Sequence, residues 1–275
     1  MTVRAELHRN LLNSYSQDAA VIPLIEMWPD VESAIEDVIA TGDYDSYVAR
    51  IEPYDRWIWE QSRQPRGSNP VAWPQWKIYP SWAELNWALV YERVRQQTPY
   101  DTQLIRTGKV VESATTDGTV TFKDVDGGLS IQGQLDGRSV QFPVVVMEHK
   151  SGHFDKPLCQ GVNAMAQRFH KTNPNVITVQ ITENNITVNR NQTMQVINEI
   201  DIFIVDRGHN QKNRDQWWAR NSQEMRQHEL HLVELLNTTT REHFSQISRE
   251  SSELPSFRDS LDRENYLAKT KHFVQ

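Results

Sequence analysis

The stretch that decides the fold runs from residue 141 to 152, QFPVVVMEHKSG, and it follows GQLDG at 133–137. Phe142 to Met147 form a short apolar run of the kind found in strands buried on both faces. The run ends in Glu148-His149-Lys150. Residues two apart on a strand face the same side, so Glu148 and Lys150 project together and His149 points away. Residues 129–138 read as the preceding strand, with Asp136 near its end. A turn near 137–140 then makes the two strands an antiparallel pair.

Working outward, alternation at 109–114 and 119–124 flanks Thr115-Thr116-Asp117-Gly118, and Asp-Gly is a strong hairpin signal. Asp126-Gly127-Gly128 reads as a second turn. Downstream, Asp155-Lys156-Pro157 opens a helix, with Asp155 as N-cap and Pro157 in the first turn. That helix reaches about His170 and stops at Asn173-Pro174-Asn175. Residues 176–182, 186–189 and 200–205 are strand-like, and 211–236 returns to helix. Upstream, Ser81-Trp82-Ala83-Glu84 matches a capping box that starts a helix running to about Gln97. Helix, strands, helix, strands, helix is the order of an α/β or α+β fold, a mixed sheet flanked by helices.

The first third differs in composition. Residues 2–13, 17–27 and 30–40 read as helices, the last capped by Asp30, and 44–62 continues in the same manner. Seven of the nine tryptophans lie between Trp28 and Trp87. Residues 61–75 are rich in Pro, Gly, Ser and Asn, which suits a linker. The expected organisation is a helical, acidic, Trp-rich region at 1–75, a core at 76–240 and a polar, partly helical tail at 241–275.

The chain has 275 residues and a net charge of −7, which argues against a protein that coats nucleic acid. The charge is uneven: residues 1–100 hold 14 acidic and 9 basic side chains, whereas 208–275 hold 10 of each. The acidity therefore sits mostly outside the expected core. A single cysteine, Cys159, excludes an internal disulfide and a cysteine-rich zinc module. In a helix next to Leu158 it reads as a small core residue. No apolar run approaches the length of a membrane span, and the N-terminus lacks the pattern of a secretory signal, so an intracellular location without membrane attachment is expected.

Two carboxylates and a lysine on one face suit metal-assisted phosphodiester hydrolysis. A hard divalent ion takes oxygen ligands. Asp136 and Glu148 are the candidate ligands for Mg²⁺, with Mn²⁺ as substitute. Lys150 is the candidate for positioning water or countering charge on phosphorus.

Asp136 with Glu148-His149-Lys150, each on its own strand of a hairpin, resembles the PD-(D/E)xK nuclease superfamily. The order helix, three strands, helix, strand over 81–183 is similar too. Gly133 before Asp136 and Ser151-Gly152 after Lys150 resemble its RecB-type branch. That branch places Gln-x-x-x-Tyr in the following helix, whereas here Gln160 is followed four positions on by Ala164. The resemblance implies a restriction-endonuclease-like core and a metal-dependent nuclease, with DNA favoured as substrate. It also implies a further carboxylate from the helix before the sheet, Glu92 or alternatively Glu84. Many such enzymes dimerise, so a homodimer is an implied partner. The alternative is a catalytically inactive nuclease-like module that binds nucleic acid or a protein.

Around the site, His153, Lys156 and Gln160 are candidate substrate contacts. Lys212, Arg214 and Arg220 surround Trp217-Trp218 and are candidate phosphate contacts. His228 and His231, three apart on a helix, do not match the His-Glu-x-x-His spacing and read as a solvated face.

Overall fold

The computed structural model describes residues 2–62, 75–98, 102–105, 109–114, 120–135, 138–150, 156–172, 176–182, 199–206 and 220–238. The chain divides into two units. A helical unit comprises Met1–Arg93 and Val205–Glu229, and a sheet unit comprises Val94–Ile204 and Leu230–Gln275. Most of the expected 61–75 linker and all of the 241–275 tail lie outside the described residues. Among the described residues no helix is long and apolar enough to cross a membrane.

The helical unit begins with α1 (Val3–Ser14), α2 (Ile22–Thr41), α3 (Tyr44–Ser62) and α4 (Gln75–Gln97, whose last residues pass into the sheet unit). Two expectations change here. Residues 22–27 of the segment expected at 17–27 join the segment expected at 30–40 in one helix, α2, which carries Pro29 in its interior, while 17–21 are not helical. An interior proline costs about 3 kcal/mol. The stripe Leu24, Trp28, Val31, Ala34, Ile35 and Val38 is buried on both sides of it and outweighs that cost. Asp30 is therefore mid-helix and caps nothing. Likewise α4 starts at Gln75 and passes through Pro80, so Ser81 and Glu84 form no capping box. The Ser81 hydroxyl meets His8 Nδ1 at 3.0 Å, and the Glu84 carboxylate accepts from Arg4 at 2.6 Å.

Aromatic residues fill this unit. Trp82, Trp87, Tyr44, Tyr47, Tyr54 and Tyr91 are among its fully buried large side chains. His8 lies among Trp28, Tyr54 and Trp82, with Nε2 2.8 Å from the Tyr54 hydroxyl. Burial lowers its pKa to about 3, so the ring is neutral. The returning segment brings Asp206, Arg220 and the first turns of α6 (Ser222–Thr238).

The sheet unit contains seven strands among the described residues: β1 (Gln103–Leu104), β2 (Lys109–Ala114), β3 (Val120–Asp124), β4 (Gly127–Leu135), β5 (Arg138–Lys150), β6 (Ile177–Thr182) and β7 (Ile202–Val205). Helix α5 (Lys156–Thr172) connects β5 to β6. The long β5 organises the sheet. One edge pairs antiparallel with β4, from Leu135↔Arg138 to Gly127↔Met147. The other edge pairs parallel with β2 at Val110↔Gln141 and parallel with β6 from Val145↔Ile177 to Lys150↔Thr182. β3 continues from β2, β1 from β4 and β7 from β6, so the sheet is mixed.

α5 lays Cys159, Val162, Met165 and Phe169 on Val110, Val125, Val146 and Val176, with Ile105 in the same core. Cys159 is a packed core thiol, as its setting in the sequence implied. Gly128 explains a local peculiarity. It has φ +127°, and a Cβ there would lie 2.0 Å from the Val145 carbonyl oxygen. Gly127-Gly128 is thus the close-approach start of β4 and not a turn.

Candidate functional site

The β4–β5 ladder decides which groups meet at the end of β5. The Leu135↔Arg138 pair marks the hairpin end, and the opposite end is Gly127↔Met147. Asp126, immediately before β4, therefore stands beside Glu148. Its N–H donates to the Met147 carbonyl at 3.1 Å, and its Oδ2 accepts from the His149 N–H at 2.7 Å. Asp136, the carboxylate expected here, lies outside the described residues.

Lys150 Nζ donates to Glu148 Oε2 at 2.8 Å and lies 3.7 Å from Asp126 Oδ2. A second ammonium joins from β3: Lys123 Nζ is 3.3 Å from Glu148 Oε1 and donates to the Asp124 carbonyl at 2.7 Å. Glu148 is nearly buried, with 7% of its side chain exposed, while Lys123, Asp126 and Lys150 retain 35%, 30% and 27%. The cluster thus sets a buried carboxylate among three part-exposed charged side chains.

The electrostatics follow from that geometry. Burial, then the charge of Glu148, raises the Asp126 carboxyl above the usual range, against the opposing pull of Lys150, the His149 N–H and Lys123. Burial disfavours the Lys150 ammonium, but Glu148 and Asp126 outweigh it and its pKa is raised. Lys150 is thus a fixed cation at neutral pH and a hydrogen-bond donor, not a base.

Asp126 and Glu148 form a hard oxygen donor pair, and one or two carboxylates with waters and substrate phosphates suffice for Mg²⁺. A cation bound between them would also offset the repulsion from Glu148 that helps to raise Asp126. The residues therefore fit a divalent ion, although no group of three His, Cys, Asp or Glu gathers at one point among the described residues.

The other expected residues are placed as follows. Glu84 is held by Arg4 in the helical unit, and Glu92 is a half-buried residue of α4 in that same unit. Gln160 is exposed in the first turns of α5, which Lys156 opens. His153, Lys212 and Arg214 lie outside the described residues, as do Trp217 and Trp218.

Arg220 differs from its expected place at a phosphate-facing surface. Its side chain is 1% exposed, 2.6 Å from Asp206 Oδ2 and 3.4 Å from Asp55 Oδ1. Trp82 donates to Asp55 at 2.6 Å and Trp87 to Asp206 at 3.3 Å, which adds two indole donors to the buried cluster. A guanidinium so enclosed serves the interior of the helical unit. His228 is also buried rather than solvated, against Trp87 and Tyr91, with Nε2 3.3 Å from the Tyr91 hydroxyl.

Sequence reasoning missed Asp126 and Lys123. Asp126 was hidden because Asp-Gly-Gly carries a turn signature. The signal available was symmetry: in a hairpin of equal arms, the partner of a residue at the end of the second strand lies at the start of the first. Lys123 enters from two strands away, and no spacing rule announces it. Searches of the chain against protein-family models and against curated proteins find no match.

Proposed function

We propose that the sheet unit is a nuclease core of the PD-(D/E)xK kind, which hydrolyses phosphodiester bonds of nucleic acid, DNA by preference, with a divalent metal ion. The observation that carries this reading is the ladder that sets Asp126 beside Glu148 and Lys150 at one end of β5. The chain order is compatible with it: α4, five strands that end in the β4–β5 pair, α5 and then β6 parallel to β5. In this reading Asp126 takes the part that the sequence pattern suggested for Asp136.

Asp126 and Glu148 would hold Mg²⁺ or Mn²⁺, and the ion, when bound, supplies polarisation of a phosphoryl oxygen and offsets charge on it. Lys150 remains protonated and hydrogen-bonded to Glu148, so it can orient water or counter the charge that grows on phosphorus. Glu148, buried between two ammoniums, fixes both of them. Lys156 and Gln160, at the start of α5, are the candidate contacts to the substrate backbone. The net charge of −7 then fits an enzyme whose binding depends on metal and salt, rather than one that coats nucleic acid.

The test incubates the purified protein with single-stranded DNA, double-stranded DNA and RNA, each with Mg²⁺, Mn²⁺ or EDTA. Cleavage that needs the ion and disappears in Lys150→Ala supports the proposal. Binding without cleavage under every condition favours an inactive nuclease-like module instead.

A further inference from the structure

β6 lies against β5 in parallel, with Glu148 opposite Gln180 and Lys150 opposite Thr182. Side chains alternate between the faces of a sheet, and in-register neighbours share a face. Gln180 and Thr182 therefore stand on the face that carries Glu148 and Lys150. Both are fully buried, at 0% exposure. The Gln180 amide donates to the Ile181 carbonyl at 2.7 Å, which leaves Oε1 as an acceptor with no donor. Thr182 Oγ1 is also without a hydrogen-bond partner.

The next residue in the same row behaves differently. Thr178 Oγ1 donates to Asp201 at 2.8 Å, so this row of polar side chains is satisfied where it leaves the site. The two unsatisfied members are the ones beside Glu148 and Lys150. A buried polar atom left unpaired forfeits the hydration it had in water and is destabilising. Two such atoms on one strand, next to a charged cluster, mark places where solvent-derived ligands complete the hydrogen bonding. An enclosed water needs two to four polar partners, and Gln180, Thr182, Glu148 and Lys150 are polar neighbours on one face of two in-register strands.

We infer that Gln180 and Thr182 are positioning residues of this site, holding ordered water against Glu148 and Lys150 and so supporting the hydration shell of a divalent ion bound at Asp126 and Glu148. The inference rests on the metal-dependent reading above. Its role is to fix carboxylate and water orientation, an effect that on removal typically weakens metal binding about 10–100-fold.

The experiment titrates the full chain with Mn²⁺, following free Mn²⁺ by electron paramagnetic resonance, and records melting in EDTA in parallel. The variants are Gln180→Met, Thr182→Val and Thr182→Ser. The expected result is that Gln180→Met and Thr182→Val raise the Mn²⁺ Kd about 10-fold or more. Thr182→Ser, which keeps the hydroxyl, stays near wild type. Melting in EDTA is unchanged or higher for Thr182→Val, because an apolar group replaces an unpaired hydroxyl, and somewhat lower for Gln180→Met, which also loses the amide's bond to the Ile181 carbonyl. Wild-type affinity in both Gln180→Met and Thr182→Val overturns the inference while leaving the metal site standing. Should Gln180→Met fail to fold, the isosteric Thr182→Val decides alone. If the wild-type chain binds no Mn²⁺, the reading of the site itself falls, and this inference with it.

Discussion

The two units each hold a cluster of opposite charges, and the clusters are built for different ends. In the helical unit, Asp55, Asp206 and Arg220 have side chains 3%, 0% and 1% exposed, and indole N–H groups of Trp82 and Trp87 support the carboxylates. In the sheet unit, Glu148 is equally deep, but Asp126, Lys123 and Lys150 each keep about a third of their surface in contact with solvent. The first cluster is shut off from solvent, and Asp206 Oδ1 within it has no hydrogen-bond partner among the described residues. The second has an open side, and buried acceptors on β6 still lack partners. Burial of charge alone therefore does not mark a candidate site; the solvent access of Asp126, Lys123 and Lys150 is what sets the sheet-unit cluster apart.

The largest effect expected from this contrast is on stability. Arg220→Met leaves two carboxylates buried without their cation, and breaking one side of a buried ion pair costs about 3–5 kcal/mol. Urea unfolding measures it, and a loss below about 1 kcal/mol would show that the cluster is not sealed in solution. Lys150→Ala reverses the pattern. It is expected to lower cleavage about 10²–10³-fold, as loss of a charge-stabilising donor does. Its unfolding midpoint should stay close to wild type, because Lys150 is part-exposed and such pairs contribute about 1 kcal/mol or less.

A pH scan gives a third and smaller contrast. His8 is buried and neutral in the folded state, with its pKa lowered by burial to about 3 from 6.5. The unfolded chain takes up this proton near 6.5 and the folded chain does not. The stability from a neutral His8 is thus complete above about pH 6.5 and is lost as pH falls, by up to about 1.4 kcal/mol per pH unit. His8→Gln should flatten the fall in melting temperature between pH 7 and 5; an unchanged slope places the acid sensitivity elsewhere. The smallest effect is expected for Lys123→Ala. Removing one of two cations on Glu148 should tighten Mn²⁺ binding by about fivefold at most, equivalent to about 1 kcal/mol. Weaker binding would instead make Lys123 a support of the site.

What the sequence revealed was what local rules govern. The paired β2 and β3, the apolar β5 and the helix after it fall within a few residues of what alternation and apolar periodicity imply, while the turn at 115–118 and the cap at Asp155 lie outside the described residues. Glu148 and Lys150 on one face needed only strand periodicity. What remained hidden depends on partners distant in the chain. Gly128 looked like a turn glycine because its need, the crowding by the Val145 carbonyl, comes from the neighbouring strand. That misreading concealed Asp126. Arg220 looked like a surface cation because nothing near it in sequence announces Asp55, 165 positions away. Asp30 and Ser81 looked like helix starts, whereas their helices run on through Pro29 and Pro80, because tertiary burial, which outweighs a proline's local cost, is invisible to local rules.

The measurement closest to the central claim is cleavage of DNA in Mg²⁺ by the wild-type chain, Asp126→Asn and Asp136→Asn, with EDTA as control. Asp126 at the open cluster predicts Mg²⁺-dependent cleavage by wild type, a loss of about 10²–10³-fold in Asp126→Asn, comparable to removing any key electrostatic group, and retention within a few-fold in Asp136→Asn. Full activity in Asp126→Asn together with its loss in Asp136→Asn would contradict the assignment, and no cleavage by the wild-type chain on any substrate would contradict the nuclease itself.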